Sequence, residues 1–262
     1  MSRHVLVLGG HGKVAQLLTP LLLQRSWTVT SIIRSEEQVP TVRKLGDNQS
    51  GQLNVLVRSI EDVKEVSQAK SILDEVKPDY IVWSAGAGGK GGPERTLAID
   101  RDAAIAFIRA AASTPSITKF LNVSHLASRR QKPSWWGDAA WQTALNTNKK
   151  LATYYQAKIA ADEVLYEEGR KRKDFAAINL RPGTLTSEPA GRVELGRTAN
   201  SAGEVSRANV AAVAALLLEA DGTKNSWLDL LDGKEEPEAA VKRVVSDGVD
   251  AAEGEPVYQS TA

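Results

Sequence analysis

Apolar residues in this chain come in two spacings that take turns. Val5–Leu8 is an unbroken apolar run, and Val14, Leu17, Leu18, Leu21 and Leu22 follow at helical steps. The first spacing suits a strand covered on both faces, and the second gives a helix one apolar stripe. The exchange recurs down the chain. Strand patterns fall at Trp27–Ile33, Leu53–Val57, Tyr80–Trp83, Phe120–Ser124, Phe175–Leu180 and Trp227–Leu231. Helical patterns fall at Asp62–Val76, Arg95–Ala112, Leu151–Arg172, a stretch capped by Ser206 that runs to Leu218, and Glu235–Val245. Strands alternating with helices predict a doubly wound α/β fold, with a predominantly parallel sheet and helices on both faces. No linker or repeat divides the pattern. Residues 1–246 are therefore read as one domain with small C-terminal substrate-side elements, and the polar stretch 247–262 as a flexible tail.

The join between the first strand and the first helix carries three glycines, Gly9, Gly10 and Gly12. Gly10-x-Gly12-x-x-Ala15 and Gly9-x-x-Gly12-x-x-Ala15 both fit the spacing of a dinucleotide-binding turn. Glycines there let the backbone approach a pyrophosphate, and the free N–H groups of the helix start face the anion. Gly9, Gly10, His11, Gly12, Lys13 and Val14 are thus candidate cofactor-binding residues. Arg34 ends the second strand about 20 residues further on, where such sites meet the adenosine ribose. An acidic residue there would suit NAD; an arginine offers a fork for the 2′-phosphate of NADP. The fourth strand runs into Ser84-Ala85-Gly86 and the glycine-dense stretch to Gly92. That stretch is either a flexible connector or a loop beside the cofactor crevice.

Composition narrows the setting. Hydrophobic residues make up 42% and charged residues 25%, with a net charge of +1, so no nucleic-acid or membrane partner is expected. There is no cysteine, which removes disulfides, thiolate metal sites and cysteine nucleophiles together. No metal site is expected, and a cytoplasmic location is. Trp135, Trp136 and Trp141 crowd the segment Pro133–Asn148. They predict either an apolar lid over the substrate pocket or an insertion anchored by its own aromatics.

Tyr154 and Lys158 stand four apart on the longest helical stretch, on one face. A lysine ammonium near a phenol lowers its pKa and makes it a usable proton donor or acceptor near neutrality. A helix with one packed tyrosine and one solvated lysine has the same spacing.

With the glycine turn, Arg34 and this pair in place, the chain resembles the short-chain dehydrogenase/reductase superfamily. It is most similar to the atypical, NAD(P)-dependent epimerase/dehydratase-like branch. Leu180–Thr186, Ser206–Ala211 and Leu228–Gly233 are similar to recurring stretches of that branch. The resemblance spans nearly the whole chain, apart from the tryptophan segment and the tail. It implies a Rossmann-type fold, an NADP(H) cofactor, and a catalytic set of Ser124, Tyr154 and Lys158. The serine of that set falls at Ser124 or slightly later, around Leu126 or Ser128. Asp100 stands where many relatives carry asparagine, and a carboxylate cannot donate the amide hydrogen bond of the usual relay. On the cofactor side the resemblance adds Ser59, in place of an acidic residue near the adenine, with Ile60, Lys158, Arg181, Pro182 and Gly183. The function implied is an NADP(H)-binding oxidoreductase or epimerase-like enzyme for a small carbonyl or sugar-like substrate. The alternative is a cofactor-binding redox sensor or regulatory protein without turnover. Either would be a monomer or a homodimer.

Overall fold

The computed structural model describes residues 2–260. Six strands, β1 (His4–Leu8), β2 (Thr28–Ile33), β3 (Gln52–Val57), β4 (Tyr80–Trp83), β5 (Lys119–Val123) and β6 (Ala176–Pro182), run parallel in the order β3-β2-β1-β4-β5-β6. Four more follow: β7 (Thr184–Thr186), β8 (Val193–Gly196), β9 (Glu204–Ser206) and β10 (Ser226–Asp232). β10 extends the sheet parallel to β6, β8 closes that edge antiparallel to β10, and β7 and β9 pair separately. The helices are α1 (Lys13–Leu23), α2 (Val39–Arg43), α3 (Val66–Val76), α4 (Gly92–Thr96), α5 (Ala104–Ala112), α6 (Asp138–Lys150), α7 (Ala152–Lys171), α8 (Arg207–Glu219), α9 (Pro237–Ser246) and α10 (Pro256–Gln259).

Alternation along β1 shows why its apolar run is unbroken. Val5 and Val7 face one side, where Leu18 and Leu22 of α1 and Val210, Val213 and Leu217 of α8 cover them. Leu6 and Leu8 face the other side, against Leu73 of α3, Phe107 of α5 and Leu165 of α7. Both sides are buried, so neither set can be polar. The register places Val5 beside Val29 of β2 and Tyr80 of β4. β1 is thus the strand from which the chain winds outward in both directions. A doubly wound sheet opens its ligand crevice at such a switch point, beyond the carboxyl ends of the strands.

Two expectations change. The short elements between Thr184 and Ser206 carry no long apolar run, and three strands form there, one of them the antiparallel edge β8. The stretch 247–260, expected to fray, packs instead: Ala251 and Ala252 are fully buried, and Glu255 and Val257 nearly so. Buried arginines explain it. Arg129 donates to Ala251 O at 2.8 Å and lies 3.5 Å from Glu255. Thr261 and Ala262, the end of that expected tail, lie outside the described residues.

Candidate functional site

At the carboxyl ends of β1 and β4 lies an open cleft with a cavity volume of about 230 Å³, the position at which doubly wound sheets bind their ligands. Gly9 forms its floor at a φ of +83°, a left-handed conformation that L side chains rarely adopt. A Cβ there would stand 2.7 Å from Ala85 Cα, so the glycine also lets the β1 and β4 loops meet. A Cβ on Gly10 would stand 2.7 Å from Ser31 Oγ. Gly12 precedes α1 in extended conformation, with no side-chain cap and no acidic residue in the first turn. The backbone N–H groups of Lys13, Val14 and Ala15 have no partner within the helix, and the positive end of its dipole opens beside His11 and Gly12 on the cleft wall. This uncapped end suits the pyrophosphate of a dinucleotide.

Arg34, at the end of β2, also lines the cleft, with 59% of its side chain exposed. Glu61 reaches into the cleft 3.8 Å from Arg34 Nη1 and is gripped by Arg95, whose Nε lies 3.0 Å from Glu61 Oε1. The bond from Arg95 holds the Glu61 carboxyl below its ordinary pKa. Lys90 and Arg58 also line the cleft, Arg58 paired with Glu75 at 2.9 Å. Ile60 is buried along the lining, whereas Ser59 points away and is exposed. Ser84, Ala85 and Gly86 line the cleft as expected of the β4 loop.

Behind that loop the chain assembles a charged cluster. The helix after α4 widens into a π-helical turn, Leu97–Ala103, a distortion common at functional sites. It buries Asp100, which accepts the Ala87 N–H at 2.9 Å and stands 3.1 Å from Lys158 Nζ. Lys158 also donates to Val123 O at 3.2 Å, and its ammonium lies 5.5 Å from the Tyr154 ring centre. His125 meets the same ring edge-on, with centres 5.5 Å apart, and its Nδ1 lies 3.3 Å from Ser128 Oγ. The structure thus brings Tyr154, Lys158 and Asp100 together off the cleft lining, with Asp100 and Lys158 buried behind the Gly86–Ala87 wall and Tyr154 half-buried beside them.

The expected effect of lysine on tyrosine is reversed. Burial raises the Tyr154 pKa, and Lys158 only partly offsets it. Burial also works against the Lys158 charge, but Tyr154 and Asp100 outweigh that and raise its pKa. His125 is driven down to about 4 by burial and by the Arg181 and Lys158 charges, so it is neutral at physiological pH. Ser124 buries its hydroxyl without a hydrogen-bond partner, Leu126 packs in a small apolar cluster with Trp136, and Ser128 is the one beside His125.

Arg181, Pro182 and Gly183 do not line the cleft. Arg181 is fully buried, ion-paired with Asp162 and with Asp229 at 3.1 Å, and donates to Leu126 O and Ser128 O. Pro182 O accepts the Leu126 N–H, and a Cβ on Gly183 would stand 2.5 Å from Gly203 O. The tryptophan segment does not line the cleft either. Trp136 is buried, its Nε1 donates to Thr198 O at 2.9 Å, and Asn148 donates to Ala127 O at 2.7 Å. These contacts tie the segment to the loops after β8 and β5. Sequence reasoning missed Glu61, Arg95 and His125. The signals were there: His125 follows Ser124 at the end of β5, and Arg95 opens the helix after the glycine loop.

A doubly wound sheet with an uncapped, glycine-lined helix start at its switch point is the architecture of a nucleotide-binding protein. The chain belongs to the NAD(P)H-binding family, whose model matches residues 9–221. It is 30% identical over 231 residues to a UPF0659 protein of Schizosaccharomyces pombe, covering 87% of this chain and 89% of the relative. It is 28% identical over 242 residues to the uncharacterized sugar epimerase YhfK of Bacillus subtilis, covering 92% and 99%. Among solved structures, a Bacillus halodurans protein named for an NAD-dependent epimerase/dehydratase superposes with a TM-score of 0.73 at 25% identity, covering 92% of this chain and 100% of that one. No helix among the described residues is long and apolar enough to cross a membrane.

Proposed function

We propose that the chain is an NADP(H)-binding oxidoreductase or epimerase-like enzyme acting on a small carbonyl or sugar-like substrate. The observation that carries this reading is the cleft itself, which takes in both the glycine turn at the uncapped start of α1 and the exposed fork of Arg34. Backbone N–H groups suit a pyrophosphate, and a guanidinium suits a 2′-phosphate. The nicotinamide, when bound, supplies or accepts a hydride. Tyr154 is the group that holds or releases the proton at the substrate oxygen. Lys158 fixes the charge beside Tyr154, and Asp100 ties Lys158 to the Gly86–Ala87 wall. The lack of cysteine suits a reducing cytoplasm, and the reading implies a monomer or homodimer there.

One observation favours the second reading, a cofactor-binding regulatory protein. The Lys158 ammonium is already engaged by Asp100 and Val123 O, which leaves it little capacity for a ribose.

Calorimetric titration with NADPH and NADH tests the cofactor assignment. One good phosphate contact is worth roughly 1.5–3 kcal/mol, so NADPH should bind at least about tenfold more tightly. Arg34→Asp should remove that preference while sparing NADH. Equal affinities in the unaltered protein overturn the assignment.

A further inference from the structure

The cleft holds an ion pair that neither the glycine turn nor the phosphate reading of Arg34 uses. Glu61, just beyond β3, stands between two arginines from distant parts of the chain. Arg95 grips Glu61 Oε1 with two nitrogens, Nε at 3.0 Å and Nη2 closer still. Arg34 Nη1 approaches the same oxygen only to 3.8 Å. Arg95 is itself held in place: its Nη1 donates to Ala87 O and Lys90 O, both at 3.3 Å. Its stem crosses Gly91, where a Cβ would stand 2.4 Å from Arg95 Cδ and where φ is +83°. Arg95 keeps 20% of its side chain exposed against 59% for Arg34. One arginine is therefore committed to Glu61, and the other is open to the cleft.

We propose that Arg95 and Glu61 form a gate on anion binding at Arg34: Arg95 holds the Glu61 carboxylate off Arg34 and leaves that guanidinium free for the 2′-phosphate of an adenine nucleotide. The inference rests on the NADP(H) reading of the cleft and names the control of its phosphate end. A carboxylate that closed onto Arg34 would occupy the fork a phosphate needs, and two anions on one guanidinium repel. The two-nitrogen contact from Arg95 holds Glu61 Oε1 more closely than Arg34 does, so the carboxylate stays 3.8 Å from Arg34 Nη1 instead of closing onto its fork. Arg95 is a positioning residue that acts through Glu61. The glycine loop from Gly86 to Gly92 belongs to the same device, because its carbonyls hold the Arg95 fork and Gly91 admits its stem.

Adenosine 2′,5′-bisphosphate and 5′-AMP read the adenine end of the cleft by calorimetry, without the nicotinamide. Arg95→Met should weaken the bisphosphate about tenfold and leave 5′-AMP unchanged, since one unit charge a few ångströms from the phosphate near a surface is worth at least that factor. Glu61→Gln in the Arg95→Met background should restore the bisphosphate to within about twofold, because the closing carboxylate is gone. Circular dichroism checks that each variant is folded. Equal loss of both nucleotides would mean Arg95 serves only the loop, and it overturns the gate. So does a loss that Glu61→Gln fails to restore, which would place Arg95 on the phosphate itself. An Arg95→Met protein that binds both nucleotides as before overturns it too. The preference of the unaltered protein decides the NADP(H) reading separately. A protein without that preference whose bisphosphate affinity still falls in Arg95→Met and returns in the double variant keeps the gate and loses the reading.

Discussion

Tyr154 sits where burial and charge pull in opposite directions, and burial wins. Its phenol titrates above the ordinary value despite the nearby Lys158 ammonium. Such a phenol keeps its proton at neutral pH, which makes it a donor to a substrate oxygen gaining negative charge. Tyr154→Phe should therefore lower kcat for carbonyl reduction by about 100-fold or more, the lower end of what one acid–base group contributes. NADPH affinity should barely move, because Tyr154 does not line the cleft. Unchanged turnover in the variant would take Tyr154 out of the mechanism. His125 makes a second, independent prediction through pH. Its folded pKa is lowered from 6.5 to about 4, so between those values the unfolded chain binds more protons than the folded one. The stability His125 contributes is present above pH 6.5 and is lost as pH falls through about 4. Asp162, raised by burial from 3.8 to about 6, has the opposite slope, stabilising at low pH and losing that as pH rises through about 6. Comparison with a His125→Gln protein cancels the Asp162 contribution. Melting temperatures of the two proteins should converge between pH 7 and pH 4.5, and a constant gap would show that His125 does not titrate in this window.

At the scale of elements, legibility followed burial. The parallel strands β1, β2, β4, β5 and β6 could be read because both faces of each are largely covered, which favours apolar runs such as Val5–Leu8. The partly exposed edge strand β3 was legible from Leu53, Val55, Leu56 and Val57. Ser206 was legible as a cap by its chemistry, and its hydroxyl accepts the Asn209 N–H at 2.9 Å. β7, β8 and β9 were not, since three- and four-residue strands leave no period to count. The start of α3 moved from Asp62 to Val66 because Glu65 and Gln68 form a reciprocal capping box there, a stronger stop than the apolar spacing alone. The same contrast divides the site. The glycine turn follows from local spacing and lies on the cleft, as do Arg34 and Ile60. Glu61 and Arg95 are 34 residues apart and meet only through the fold. The Arg181-Pro182-Gly183 stretch lies off the cleft lining, where its pattern marks a tightly packed strand end. Its arginine is spent on Asp162 and Asp229.

For the molecule as a whole, the far end of the sheet is closed by buried charge together with α7, which brings Ile159, Asp162 and Tyr166 there. Arg129 and Arg181 are both fully buried and share Asp229, and each lies over Trp227, at 5.9 and 4.1 Å from its ring. The C-terminal stretch supplies what the arginines and their neighbours still need. Ala251 O accepts from Arg129, Glu255 accepts the Arg130 N–H, and Asp250 accepts from Tyr166 Oη and the Trp227 N–H. Val257 and Ala252 complete the apolar cluster around Trp227 and Ile159. Removing residues from Val249 onward would strip Arg129 of two acceptors inside the protein and leave its charge under-compensated. Taking one partner from a buried ion pair costs about 3–5 kcal/mol, a large share of the roughly 5–15 kcal/mol that holds a domain folded. Urea unfolding should show a midpoint lowered accordingly. Glu255→Gln, which keeps a hydrogen-bond acceptor but loses the charge, should fall between the truncated and the full chain. No described residue beyond Gly248 lines the cleft, so NADPH affinity of the folded truncated protein should match that of the full chain. A truncated protein with an unchanged midpoint would show that Arg129 is satisfied without the C-terminal stretch, and a weakened NADPH affinity at unchanged stability would tie that stretch to the cleft instead.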